Sequence, residues 1–148
     1  MSHRLLVVDD EPGIREALKQ VLEYEGLEVR AAGSGGEALS VYPEFRPQVV
    51  FLDVKMAGLD GLETLTRLRD LDPGAVVVMI SGHGTIATAV EATRRGAVDF
   101  LEKPFDRSGL LFVVAKALAL AGHAESQAPI APLPRAASSL EAGGWRSP

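Results

Sequence analysis

Four short apolar runs in this chain each stop at a residue with reactive chemistry, and no other feature of the sequence restricts the fold as much. Leu5 to Val8 stops at Asp9. Gln48 to Leu52 stops at Asp53, Ala75 to Ile80 stops at Ser81, and Val98 to Leu101 stops just before Glu102 and Lys103. A weaker segment, Leu27 to Ala32, alternates apolar and polar residues. Continuous apolar runs of this kind suit strands buried on both faces, as in a parallel sheet covered by helices. The first of them, behind Met-Ser-His-Arg, is too short for a signal peptide or a membrane span.

Between the runs, apolar residues return at helical period. Ile14, Leu18, Val21 and Leu22 form one stripe, and Leu62, Leu65 and Leu68 form another. Pro12 stands where a first helical turn accepts proline. Ser34 with Glu37, and Asp60 with Glu63, have the spacing of capping boxes. The order is five strand-helix units, which predicts an α/β chain with right-handed crossovers and a doubly wound parallel sheet. With 47% hydrophobic and 24% charged residues, the 148-residue chain can build one core.

The regular pattern covers residues 1–121. From Gly122 to Pro148 the chain holds four of its nine prolines, many alanines and the only tryptophan, Trp145. This stretch has no sustained period and reads as a disordered Ala/Pro-rich tail or linker. The net charge of -5 argues against a nucleic-acid surface, and the absence of cysteine excludes disulfides and thiolate metal sites. The expectation is a soluble, cytoplasmic chain with no direct nucleic-acid contact and no membrane association.

Ligands of an open parallel sheet bind beyond the carboxyl ends of its strands. That edge would gather Asp9, Asp10, Glu11, Asp53, Ser81 and Lys103. Two carboxylates about 5 Å apart repel by roughly 3 kcal/mol at an effective dielectric of about 20. Three cannot all stay ionised without a cation or large pKa shifts. A hard divalent ion resolves the conflict, and the sulfur-free oxygen set favours Mg²⁺. Asp53 is the candidate nucleophile, because a carboxylate attacking phosphorus gives an acyl phosphate. Lys103 and the metal would offset charge on the phosphoryl oxygens, and Ser81 would donate a hydrogen bond to another. Taken singly, each residue has a plainer reading: a helix cap for Asp10 or Glu11, a turn for Asp53, a cap for Ser81, a solvated lysine for Lys103. Their joint placement favours the chemistry.

The stretches LLVVDDEPGIREAL, VVFLDVKMAGLDGLE, VVMISGHGTIATAVEA and GAVDFLEKPF resemble the signature segments of response-regulator receiver domains of bacterial two-component systems. The resemblance covers about residues 4 to 120, in order and in spacing. It implies a flavodoxin-like (βα)5 fold with strand order 2-1-3-4-5. It also implies phosphorylation of Asp53 by a sensor histidine kinase or phosphotransfer protein, and a Mg²⁺ ion at the site. Carried over residue by residue, Asp10 and Asp53 bind the metal, with Asp9 beside it and the backbone carbonyl of Lys55 as a further ligand. Ser81 and Lys103 hold the phosphoryl group. Phe100 is the aromatic switch, paired with Ser81, and the Lys103–Pro104 bond is cis. Lys55 and His83 flank the path of the hydrolytic water and tune the lifetime of the acyl phosphate. The chain is then not an enzyme in the ordinary sense, but a phosphoacceptor that assists its own phosphoryl transfer and dephosphorylation. The wording is nearest to receivers of nitrogen-regulation-type transcriptional activators. Two positions depart from the common pattern. Ala57 stands where many members have proline, and Phe100 lacks the hydroxyl of a tyrosine, so a switch here works by packing alone.

Other functions fit less well. An aspartyl-phosphate phosphatase usually needs a second acid two residues after the nucleophile, where this chain has Lys55. The cluster Gly33-Ser34-Gly35-Gly36 follows the second strand rather than the first, which suits a helix start better than a nucleotide site. A phosphorylation-incompetent pseudo-receiver acting as an interaction module is the alternative, and the intact acid, serine and lysine set argues against it. The run Leu110 to Ala121 predicts a helix with Leu110, Val114, Ala117, Leu118 and Ala121 on the sheet. Phe112, Ala115 and Ala119 would then face away, and such an exposed apolar strip marks an interaction site. A symmetric homodimer through the fourth helix, fifth strand and fifth helix would cover it. The plainer alternative is that the tail folds over it.

Overall fold

The computed structural model describes residues 3–56, 58–82 and 84–127. The chain alternates strands and helices throughout: β1 (Arg4–Val8), α1 (Pro12–Tyr24), β2 (Glu28–Ala32), α2 (Gly35–Phe45), β3 (Val49–Asp53), α3 (Gly61–Leu71), β4 (Val77–Ser81), α4 (Ile86–Arg94), β5 (Asp99–Glu102) and α5 (Arg107–Gln127). All pairings are parallel and the strand order is β2-β1-β3-β4-β5. This is the flavodoxin-like arrangement that the signature segments imply.

The two-residue period of each strand divides its side chains between two cores. Leu5, Val7, Val49, Phe51, Val78 and Ile80 pack on one side, under α1 and α5. Leu6, Val8, Val50, Leu52, Val77 and Met79 pack on the other, under α2, α3 and α4. The residues of β3 and β4 are buried on both faces, which is why those segments read as unbroken apolar runs. Leu18 and Leu22 of α1, and Leu65 and Leu68 of α3, are buried as their stripes predict.

The helix starts follow their caps. Pro12 opens α1. Ser34 Oγ accepts from the Glu37 amide at 3.1 Å, while Glu37 Oε1 reaches back to the Gly33 amide at 2.8 Å, one residue earlier than an ideal box. Asp60 Oδ1 accepts from the Glu63 amide at 2.8 Å, but the Glu63 side chain turns to Arg67 instead of closing the box.

Three element ends differ from the sequence reading. Asp53 and Ser81 are the last residues of their strands rather than the first residues beyond them, because their backbones still face a neighbouring strand. The helix α5 runs past Ala121 to Gln127, into the stretch expected to be a tail. Alanine, glutamate and glutamine are good helix formers, and Gly122 alone does not stop a helix that is already packed. The rest of the expected tail, residues 128–148, lies outside the described residues.

Candidate functional site

The strand order brings β1 and β3 side by side and sends their following helices to opposite faces. A crevice opens at that point, beyond the carboxyl ends of the strands. Asp9 leaves β1 and Asp53 ends β3, so both acids stand at its edge. Asp9, Asp10 and Asp53 each offer a carboxylate oxygen, and these oxygens lie within 4.8 Å of one another. Asp9 and Asp53 are buried while Asp10 is exposed at the mouth. Three oxygen donors converging from partly buried acids fit a hard divalent cation.

Lys103 lies across this group. Its Nζ is 3.2 Å from Asp9 Oδ2, 3.7 Å from Asp53 Oδ1 and 3.8 Å from Glu11 Oε1. Burial works against its charge, but Asp53 and Asp9 outweigh burial and hold the amine above its ordinary range. Burial raises the Asp53 carboxyl most, with Asp9 adding to it, while Lys103 and the Lys55 backbone N–H pull the other way. The result is a carboxyl pushed up to about 6. Such a carboxyl titrates nearer neutrality than an ordinary aspartate, and a further positive charge beside it would favour its ionised form.

Backbone contacts fix the frame. The Asp9 carboxylate accepts from the Glu11 amide at 2.9 Å, and its backbone carbonyl accepts from Arg15 Nη1 at 2.7 Å. The Lys103 amide donates to the Ser81 carbonyl at 2.7 Å, which ties the β5 end to the β4 end. The Lys103–Pro104 bond is cis, as expected. Ser81 is buried at the end of β4, and Phe100 is half-buried on β5, packed against the core beneath α3 and α4. Lys55 is exposed, with its backbone N–H on the Asp53 carboxylate. His83 and Ala57 lie outside the described residues, so the expected role of His83 in phosphoryl lifetime has no geometry to set beside it.

Arg15 and Gly61 were not singled out from sequence. Arg15 looks like any charge on a solvated helix face, and only its reach to the Asp9 carbonyl distinguishes it. Gly61 packs directly on the Asp53 backbone: a Cβ there would lie 2.1 Å from the Asp53 carbonyl oxygen. Its signal was present in the segment LDGLE, but the sequence alone does not say what the glycine touches.

An apolar groove of about 560 Å³ adjoins Lys103, formed by Ile14, Leu18 and Val21 of α1 with Pro104, Phe105 and Leu110. A groove of about 500 Å³ at the opposite end of the sheet, beside Arg4, Tyr42 and Asp72, holds none of the reactive residues.

The sequence profile of the response regulator receiver domain matches residues 5–115. The chain belongs to that family. This receiver domain is 46% identical over 120 residues to the nitrogen assimilation regulatory protein NtrX of Azorhizobium caulinodans, covering 80% of this chain and 26% of that protein. It is 35% identical to the chemotaxis protein CheY of Bacillus subtilis, covering 80% of this chain and 99% of CheY. Among solved structures, the receiver domain of NtrX from Brucella abortus superposes with a TM-score of 0.74 at 47% identity, covering 78% of this chain and 98% of that one. The chain thus spans about a quarter of the NtrX regulator it matches and nearly the whole of CheY. Nothing in these comparisons favours the pseudo-receiver alternative.

Proposed function

We propose that Asp53 is the phosphoacceptor of this receiver, taking its phosphoryl group from a sensor histidine kinase or a phosphotransfer protein. The observation that carries this reading is the convergence of Asp9, Asp10 and Asp53 within 4.8 Å, with Lys103 Nζ across them. An Asp53 carboxylate oxygen attacks phosphorus as the bond from phosphorus to the donor imidazole nitrogen breaks. The products are an acyl phosphate and a free imidazole. Asp9, Asp10, Asp53 and the Lys55 carbonyl would hold Mg²⁺, which supplies positive charge against the phosphoryl oxygens when bound. Lys103 pairs with a second phosphoryl oxygen, and Ser81 donates its hydroxyl to a third. Lys55 and His83 set the rate at which water removes the phosphoryl group. The apolar groove between α1 and the loop after β5 is the surface on which a phosphodonor protein would seat.

Phe100 carries the change outward. It lies on β5, between helices α4 and α5, whose outer faces expose Ile86, Val90, Phe112 and Leu120, with Val98 beside them. Phe112 is 66% exposed and Ile86 is 85% exposed. These residues support a symmetric homodimer through α4, β5 and α5, strengthened by phosphorylation. In this reading the protein works in the cytoplasm and passes its signal to a partner or output domain.

Radiolabelled acetyl phosphate tests the assignment. The wild-type chain should take up acid-labile label only with Mg²⁺, and Asp53→Asn should take up none. Undiminished label in Asp53→Asn would falsify it.

A further inference from the structure

Gly84 lies in the loop between β4 and α4, three residues beyond Ser81. A Cβ built there would stand 2.8 Å from Phe100 Cε1, 2.9 Å from Phe100 Cζ and 3.3 Å from Ser81 Oγ. Carbon atoms that are not bonded do not approach to 2.8 Å without one of them moving. The backbone at Gly84 is not in the left-handed region, in contrast to Gly26, Gly58 and Gly96. An alanine could therefore adopt its backbone conformation, and what its methyl group would meet is the end of the ring, which would have to shift. The bare α-carbon of Gly84, the hydroxyl of Ser81 and the ring edge of Phe100 thus meet at one point.

We propose that Gly84 is a positioning residue of the phosphorylation switch: its missing side chain is what lets the Phe100 ring lie beside Ser81. Ring and serine compete for one small volume, and the loop backbone forms its third wall. With a methyl group on that wall, the ring and Ser81 cannot both keep their places. Any motion of Ser81 toward a phosphoryl oxygen is then coupled to the ring through Gly84. The matter is sharper in this chain because Phe100 has no hydroxyl to hold it elsewhere, so contact alone sets its position. The proposal rests on the reading of Asp53 as phosphoacceptor and Phe100 as switch.

A double-mutant cycle tests it. The clashing atoms are Cε1 and Cζ, which leucine lacks, so Phe100→Leu removes the collision while keeping an apolar side chain. The rate of labelling by acetyl phosphate is measured in the wild type, Gly84→Ala, Phe100→Leu and the double variant, each confirmed as folded by circular dichroism. Gly84→Ala should change the rate by about fivefold or more with Phe100 present and by less than about twofold in the Phe100→Leu chain, as coupling between side chains in contact requires. Equal changes in the two backgrounds, or none in either, overturn the role of Gly84 and leave Asp53 as acceptor. A wild-type chain that takes no label overturns both. If Gly84→Ala alone fails to fold, recovery of fold and labelling in the double variant supports the contact, and failure of both variants overturns it.

Discussion

As the proposed phosphoacceptor, Asp53 must be ionised to attack phosphorus, yet burial and the neighbouring Asp9 carboxylate favour its proton. Its carboxyl is pushed up to about 6 from an ordinary 3.8. The folded protein without Mg²⁺ therefore binds this proton more tightly than the unfolded chain, and the difference acts between those two values. As pH rises from about 4 to about 6 the proton is lost, and metal-free stability should fall by on the order of 2 kcal/mol. Asp53→Asn has no such proton, so its urea midpoint should stay flatter across that window and lie above the wild type at neutral pH. Parallel curves for the two proteins would refute this. Gly61 makes a different demand at the same residue. A Cβ there would meet the Asp53 carbonyl oxygen at 2.1 Å and Val54 Cα at 2.7 Å, both of them backbone atoms that cannot rotate away. Gly61→Ala should cost about 2 kcal/mol or more, read as a lowered urea midpoint, because the whole strand end must shift. The acids, Ser81 and Lys103 were legible in the sequence because each follows an apolar run. Gly61, Gly84 and Arg15 were not, since a glycine's use depends on what lies against it and an arginine's on where its long side chain ends.

The elements themselves were legible for a physical reason: strands buried on both faces leave no polar residue in the run, and the helices carry regular stripes. The ends were less so. The helix α5 continues to Gln127 because tolerance of one glycine by a packed helix is a tertiary effect, invisible to a local pattern. Its buried face includes Val113 as well as Leu110, Val114, Ala117 and Ala121, a wider stripe than the spacing alone assigned. On its far side Phe112 stays exposed, and Lys116 reaches from beside it to Asp99 of β5, 3.0 Å from Asp99 Oδ2. That oxygen is buried with no well-aligned hydrogen bond, so the Lys116 charge is what offsets its loss of water. The apolar strip is therefore bordered by the Lys116–Asp99 ion pair. In the sedimentation profile of the phosphorylated protein, a species of twice the monomer mass should appear as concentration rises, and Phe112→Glu should abolish it. A wild-type chain that stays monomeric when phosphorylated at high concentration would exclude the dimer.

At the scale of the whole molecule, the strand order distributes the site unequally over the sheet. Asp9 directly follows β1 and Asp53 ends β3, both interior strands with nearly every residue enclosed. Phe100 lies on β5 and Lys103 directly follows it, and β5 is an edge strand of four residues, only one of them buried. Local opening is easiest where few apolar contacts resist it. Hydrogen exchange should reveal the division: the amides of Leu6, Val7, Val50 and Phe51 should exchange only through global unfolding, while those of β5 and the start of α5 should exchange through smaller openings. Uniform protection across the five strands would contradict it. The acceptor carboxylate would then be anchored in the slowest-exchanging part of the sheet, and the lysine and ring that answer to its charge would sit on the part that opens first.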